Sequence, residues 1–290
     1  MTVREAAAEG RRALKSPCLN AQITTPDLDA SLLLTEALQL SREVLITRGE
    51  TILPEDEHKK FLELLKRRMG GECIAYILGR KEFRGLDFFV NETVLVPRPD
   101  TELLVEAVLQ KWSNSASAGK EPIRVLDLCT GSGAIAVSLK SEIPDIEVWA
   151  TDISAEALET ARANAGWHRM GESIRFCQGH LFEALPTGIT FHAIVSNPPY
   201  IPSSEIARLS PEVQREPRLA LDGGKDGLEI IREIIVHAPD YLESGGVLLL
   251  EAAPEQLKSI SEALEKNRFI NIKTYNDLSG LERAIECTKL

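Results

Sequence analysis

The residues Asn197-Pro198-Pro199-Tyr200, which follow the short run Ile194-Val195-Ser196, are the ones in this chain best suited to chemistry. An apolar run that ends in a polar residue and two prolines predicts a buried strand that stops abruptly, with a stiff loop at its carboxyl end. Open α/β sheets bind their ligands at that end. Pro198 and Pro199 have no backbone N–H, so carbonyls here find fewer local donors and can face a ligand. Asn197 adds an acceptor oxygen and Tyr200 a flat ring. Such a corner suits a planar NH2 group; the plain alternative is a proline-rich turn that only ends a strand.

A second constellation lies upstream. Asp127 stands at the tip of the strand-like run Val125-Leu126-Asp127-Leu128, the turn Cys129-Thr130-Gly131-Ser132-Gly133 leads into a helix, and Asp152 closes the next strand-like run. Glycines let the backbone approach a ligand closely, and an acid after the second strand can accept ribose hydroxyl hydrogens. With Gly131, Gly133 and Ala136 the turn meets the alanine form of the dinucleotide fingerprint, so glycine spacing leaves a nicotinamide dinucleotide open. Asp127 weighs the other way. An acid close to where a pyrophosphate would sit favours a cationic cofactor such as S-adenosylmethionine.

The elements that must hold these residues fall into three parts. Residues 1–75 read as helices. Thr25-Pro26-Asp27 opens one before Leu32, Leu33, Leu34 and Ala37, and another runs from Pro54 through Phe61, Leu62, Leu65 and Met69 to the stop Gly70-Gly71. This helical domain serves either as a packing cap or as a docking module. Over 76–97 two β-rich runs separated by Asn91-Glu92 predict a hairpin linker. Then Pro97-Arg98-Pro99-Asp100-Thr101-Glu102 leads into a helix, and the polar stretch over 113–119 reads as a loop. Strand and helix alternate after that, ending in strands near 269–272 and 284–288, so 98–290 is expected to be a doubly wound α/β domain.

Composition narrows the function. Of the formal net charge of -11, residues 1–80 carry none, with 12 basic and 12 acidic side chains, whereas the rest holds 21 basic and 32 acidic. That field opposes a polyanion, so direct nucleic-acid binding is not expected. No apolar run approaches the roughly 18 residues of a membrane span. The amino terminus mixes Arg4, Glu5, Glu9, Arg11 and Arg12, so a cytoplasmic protein without membrane contact is expected. Five scattered cysteines without a CxxC pair indicate neither disulfides nor a metal site.

Taken with these motifs, the chain resembles the protein-glutamine methyltransferases of the HemK/PrmC family. The resemblance runs through AYILG (75–79), FRGLDFFV (83–90), VLVPRPDTELLVE (94–106), VLDLCTGSGAIAVSL (125–139), ATDIS (150–154), IVSNPPYI (194–201), EPRLALDGGKDGL (216–228) and DLSGLER (277–283). It implies a Rossmann-like, seven-stranded class I S-adenosylmethionine-dependent methyltransferase domain behind a small helical domain and a hairpin linker. It also implies methyl transfer to the side-chain amide nitrogen of the glutamine in the Gly-Gly-Gln motif of peptide-chain release factors, with S-adenosyl-L-homocysteine as product. By position, Thr130, Gly131, Ser132 and Gly133 would line the methionine end of the cofactor beside Asp127 and Cys129. Asp152 would hold the ribose, Leu181 would meet the adenine, and Asn197, Pro198, Pro199 and Tyr200 would hold the substrate glutamine next to the cofactor. The Asn197 oxygen and Pro198 carbonyl would accept the two amide hydrogens while Tyr200 stacks on the amide plane.

The chain departs from the family pattern at three places: Cys129 stands where a glycine is usual, His180 where an acid is usual, and Glu251-Ala252-Ala253 where acid-isoleucine-glycine is usual. His180 reads as a pocket-edge histidine. The rival readings are an adenine-N6 methyltransferase on nucleic acid, which shares the Asn-Pro-Pro-Tyr corner, a glutamine methyltransferase acting on a ribosomal protein, and a cofactor-binding protein without catalysis.

Overall fold

Between Arg124 and Ser196 strands of five or six residues, three of the four buried on both faces, alternate with helical segments, the pattern that buries a parallel sheet between two helical layers. A computed structural model, describing residues 1–16, 23–112 and 122–290, shows that architecture. The loop expected over 113–119 and Cys18 lie outside the described residues. The chain divides into two units, Met1–Arg80 with Arg208–Arg215, and Lys81–Ala207 with Glu216–Leu290.

The first unit is helical, with α1 (Val3–Leu14), α2 (Pro26–Leu38), α3 (Arg42–Thr47), α4 (Glu55–Met69) and α5 (Ile74–Leu78). Its core gathers Ala6, Leu33, Leu34, Phe61 and Leu65. Pro26 occupies the first turn of α2 as expected, but Thr25 makes no side-chain cap; its hydroxyl donates to Asp29 at 2.8 Å. Arg68 is buried and paired with Asp29 at 2.6 Å and Glu212 at 2.7 Å, so the charge that α4 carries inward meets two carboxylates.

Strands β1 (Arg80–Phe83) and β2 (Leu86–Phe89) form the hairpin, which turns at Arg84 and Gly85 rather than at Asn91-Glu92. Both turn residues take positive φ, 50° and 74°, the geometry of the tight turn that matches strand twist. The run Tyr76-Ile77-Leu78, expected to be extended, is helical instead, since it closes α5 against a left-handed Gly79. Residues 94–96, the expected second arm, form no strand.

The large sheet is built from β3 (Arg124–Leu128), β4 (Glu147–Asp152), β5 (Ile174–Gln178), β6 (Phe191–Ser196), β7 (Leu242–Glu251), β8 (Phe269–Asn276) and β9 (Glu282–Lys289), in the order β5-β4-β3-β6-β7-β9-β8. β9 alone runs against its neighbours β7 and β8; the other pairs are parallel. One face of the sheet, through Val125, Val148, Val195 and Leu249, packs on α6 (Glu102–Trp112), α7 (Ala134–Glu142) and α8 (Ala155–Trp167). The other, through Leu126, Trp149, Ile194 and Leu248, packs on α9 (Glu229–Tyr241) and α10 (Leu257–Lys266). Chain order reverses between β3 and β6, and at such a switch point a crevice opens beyond the strand ends. Among the described residues, no helix is long and apolar enough to cross a membrane.

Asn164 of α8 ties the hairpin to that crevice. Fully buried, its side chain accepts from the Phe89 N–H at 2.7 Å and donates to the carbonyls of Phe89 at 3.0 Å and Ser132 at 2.8 Å. Net hydrogen bonds of this kind contribute about 1 kcal/mol each, and orphaned buried partners cost more. Asn164→Ala is expected to lose about 2–4 kcal/mol in urea unfolding, and a loss under 1 kcal/mol would show the tie to be idle.

Candidate active site

The ends of β3, β4, β5 and β6 open onto one cavity. Of the residues expected there, Cys129, Thr130, Ser132, Asp152, Leu181, Asn197 and Pro199 line it. Gly131, Gly133, Asp127, Pro198 and Tyr200 do not line it.

The turn after β3 is fixed from both sides by carboxylates. Asp127, fully buried, accepts at Oδ2 from the Thr130 hydroxyl at 2.6 Å and from the Ala136 N–H at 3.1 Å, so it clamps the turn to the first turn of α7. Asp152 accepts from the Gly131 N–H and from the Ser154 N–H, each at 2.9 Å, one on each oxygen. Gly133 is required: its φ is 81°, and a Cβ there would stand 3.1 Å from the Ala161 Cβ. Cys129 takes a φ of 59°, a conformation that favours the glycine of the family pattern.

These groups suit S-adenosylmethionine. Asp127 Oδ1 is buried and has no hydrogen-bond partner among the described residues, so its charge behind the cavity wall would favour a cation. Asp152 lines the cavity with lone pairs left for ribose hydroxyls. Ile153, 47% exposed although apolar, and Leu181 line the same cavity and could meet a flat base. Burial pushes the Asp127 carboxyl up to about 7 despite the Thr130 and Ala136 donors, and burial likewise raises Asp152. The Cys129 thiol is raised by burial, then by the charge of Asp152, and stays protonated. His180 lies at the cavity edge, half-buried, with Nε2 2.8 Å from Glu233 Oε1.

The Asn-Pro-Pro-Tyr corner follows β6, as the apolar run predicts. The Asn197 Nδ2 donates to Thr101 Oγ1 at 3.0 Å, and the Thr101 hydroxyl donates to Glu251 Oε2 at 2.6 Å. The Tyr200 hydroxyl donates to Glu251 Oε1 at 3.4 Å. Burial pushes Glu251 up to about 7 and raises the Tyr200 phenol. The segment over 221–227 braces the corner: the Ile201 N–H donates to Leu221 O and the Gly223 N–H to Ile201 O, both at 2.9 Å. Gln256 Nε2 adds a donor to Tyr200 O at 2.8 Å.

The motif reading missed Thr101 and Glu251 as site residues. Thr101 lies inside a quoted motif without a role, and Glu251 registered only as part of a departure. The available signal was an acid at the end of an apolar run, the same pattern that singled out Asp127 and Asp152. Arg98, which lines the cavity, and Glu216, which accepts from it at 2.6 Å and from the Val96 N–H at 3.2 Å, carried no such signal.

Residues 5–79 match the family described as PrmC N-terminal domain, and residues 99–210 match Methyltransferase small domain. A relative from Burkholderia pseudomallei named release factor glutamine methyltransferase is 42% identical over 261 residues, 89% of this chain and 90% of its own. One of the same name from Bradyrhizobium diazoefficiens is 40% identical over 282 residues, 97% and 94% of the two chains. Among solved structures, a Thermus thermophilus 16S rRNA N2 G1207 methyltransferase in complex with AdoMet and guanosine superposes with a TM-score of 0.53. It is 18% identical, covers 73% of this chain and 50% of its own, and shares the fold.

Two expectations arise from this geometry. A Cβ on Gly223 would stand 2.6 Å from Gly227 O, 2.7 Å from Pro199 O and 2.8 Å from Tyr200 Cα, all backbone. Gly223→Ala should therefore shift the corner and lower turnover on the order of 10²-fold while urea unfolding remains cooperative; unchanged turnover would show that the corner tolerates the shift. Asp127 and Glu251 hold protons in the fold up to about 7 but release them near 3.8 and 4.5 when unfolded. Folding therefore binds protons between these values, and stability falls as pH rises from about 4 through about 7. The urea midpoint should drop between pH 5 and pH 8, and Asp127→Asn should shrink that drop.

Proposed function

Because this chain belongs to the release factor glutamine methyltransferase family, we propose that it transfers a methyl group from S-adenosylmethionine to the side-chain amide nitrogen of the glutamine in the Gly-Gly-Gln motif of peptide-chain release factors. The observation that carries this reading is Asn197, which lines the cofactor cavity while its Nδ2 is tied to Thr101. Its Oδ1 is then the atom left to meet a substrate NH2 group. S-adenosylmethionine, when bound, supplies an electrophilic methyl group on a sulfonium sulfur.

An amide nitrogen is a poor nucleophile because its lone pair is delocalised into the carbonyl, so the protein has to orient it. The Asn197 oxygen, which faces the cavity, would accept one of its hydrogens and so hold the nitrogen with its lone pair directed at the methyl donor; the Pro198 carbonyl, which stands beside the cavity-lining Pro199, would have to turn toward the cavity to accept the second. The acceptors also stabilise the positive charge that grows on the N–H groups as the new N–C bond forms. The methyl's bond to sulfur would break as the N–C bond forms, the surplus proton would pass to water afterwards, and no strong base is needed. Tyr200 follows two stiff prolines and is anchored through its hydroxyl to Glu251 and through its carbonyl to Gln256, so it braces the corner from behind the cavity wall. Thr130 and Asp152 belong to the cofactor side.

The test is incubation with labelled S-adenosylmethionine and a release factor, which should take up one methyl on the Gly-Gly-Gln glutamine. Asn197→Ala should lower turnover by about 10²–10³-fold and leave cofactor affinity within about twofold. Equal loss of both would contradict the acceptor role.

A further inference from the structure

Three side chains from distant parts of the chain meet behind Asn197. Thr101 closes a short 3₁₀ turn (Pro99–Thr101), Glu251 is the last residue of β7, and Tyr200 ends the proline corner. In the β6–β7 register Ser196 lies opposite Leu250, the last paired position, and Asn197 and Glu251 are the residues that follow each of these. Thr101 and Glu251 are almost fully buried, at 5% and 2% exposure.

We propose that Thr101 and Glu251 act as a positioning relay that dictates which end of the Asn197 amide faces the substrate. This rests on the reading of Asn197 as acceptor for the substrate amide. A threonine hydroxyl has one proton to give and lone pairs to receive. The Glu251 carboxylate can only accept, and at 2.6 Å it takes the Thr101 proton. The Thr101 oxygen is thereby left as an acceptor, and at 3.0 Å it takes the Asn197 NH2. The carbonyl end of Asn197 is then the one left for the cavity. A flipped amide would set its oxygen against the Thr101 oxygen with no proton between them. A direction set by a buried charge thus passes through one hydroxyl to the atom that receives the substrate. Thr101 reaches the cavity wall, but its hydroxyl is committed to Glu251 and Asn197, so both relay residues act through Asn197.

The relay depends on the charge state of Glu251. The groups that face it are Thr101, Asp100 and Arg98 from the 98–101 segment and the Tyr200 hydroxyl from the corner. Arg283 of β9 stands behind them, 3.4 Å from Asp100. Burial and Asp100 favour the protonated acid, while Thr101, Tyr200 and Arg98 favour the carboxylate. A protonated Glu251 can give a hydrogen to the Thr101 oxygen, which frees the threonine proton to turn toward Asn197. The relay therefore runs above about 7, where burial has placed the carboxyl, and fails below it.

The experiment compares Thr101→Val, Thr101→Ser and Glu251→Gln with the intact enzyme and with Asn197→Ala. It uses labelled S-adenosylmethionine and a release factor, both saturating, with cofactor affinity measured separately. Thr101→Val keeps the shape and removes the hydroxyl, so kcat should fall on the order of 10²-fold with cofactor affinity within twofold. Thr101→Ser should recover most of that loss. Adding Thr101→Val to Asn197→Ala should cost nothing further, since the relay acts only through Asn197. In the intact enzyme kcat should rise with pH through about 7, and Glu251→Gln should lower kcat and remove that limb. Should Thr101→Val prove unstable, Thr101→Ala and its recovery in Thr101→Ser decide instead.

Full kcat in Thr101→Val beside an inactive Asn197→Ala overturns the relay and leaves the acceptor role standing. Full kcat in Asn197→Ala overturns both. Survival of the same limb in Glu251→Gln, and again when Asp127→Asn is added to it, also overturns the relay.

Discussion

Burying a carboxylate at the end of a parallel strand costs several kcal/mol unless donors gather round it, and this fold makes that demand at three strand ends. Asp127 near the end of β3 draws in Thr130 and the Ala136 N–H, Asp152 at the end of β4 draws in the N–H groups of Gly131 and Ser154, and Glu251 at the end of β7 draws in Thr101 and Tyr200. Each acid thereby converts the loop beside it into a fixed structure that inherits the rigidity of the sheet. The two acids nearest the turn over 129–133 share it, one holding Thr130 and the other Gly131. The third acts on the opposite side, on the loop that carries Asn197. Burial also raises all three carboxyls, so the donors that order the loops are the groups that keep charge in the site.

The corner itself could not stand on its prolines alone. Two residues without N–H groups offer few hydrogen bonds to neighbours, so the chain has to be held through its carbonyls and through Ile201, the next residue along. Residues 221–227 supply this by running alongside Ile201, and they can come close only as glycine. At Gly227 the space for a Cβ is taken by the Tyr200 carbonyl and the Gln256 amide, and its φ of 76° excludes most side chains independently. The glycines of ALDGGKDGL are thus a packing requirement of the proline corner. This gives a physical reason for the two motifs to occur in one chain although more than 20 residues separate them, as Asn197 and Gly223 show.

The parallel core of the sheet was legible because β3, β4 and β6 are short β-rich apolar runs between helical segments, and the stops at Asp152 and at Asn197 mark strand ends. The hairpin was misplaced for a local reason. Asn91-Glu92 has turn composition, whereas Arg84-Gly85 interrupts a run of aromatics that reads as one strand. Tyr76-Ile77-Leu78 has β propensity but lies between Cys73 and a left-handed Gly79, and capping with packing decided for helix. The turn after β3 was legible because its residues, 127–133, are neighbours in sequence. The relay to Asn197 was not, since Thr101 and Glu251 lie 150 positions apart and meet only when β7 is laid beside β6.

Backbone strain is placed on the same cavity. Cys129 and Leu181 line it and hold φ values of 59° and 44°, each costing about 1–2 kcal/mol for a residue with a side chain. Such conformations persist only where the surroundings over-determine them. Here the surroundings are two successive carbonyls of β4: Thr151 O receives the N–H of Thr130, the residue after Cys129, and Asp152 O receives the N–H of Gly179, two residues before Leu181, at 2.9 and 3.0 Å. Leu181 is also buried in the apolar layer under the sheet, and Cys129 packs against that layer. The end of one strand therefore pins both strained positions, and its last residue, Asp152, lines the same cavity. A cavity shaped in this way has its form before a ligand arrives, so less of the binding free energy is lost to ordering the loops.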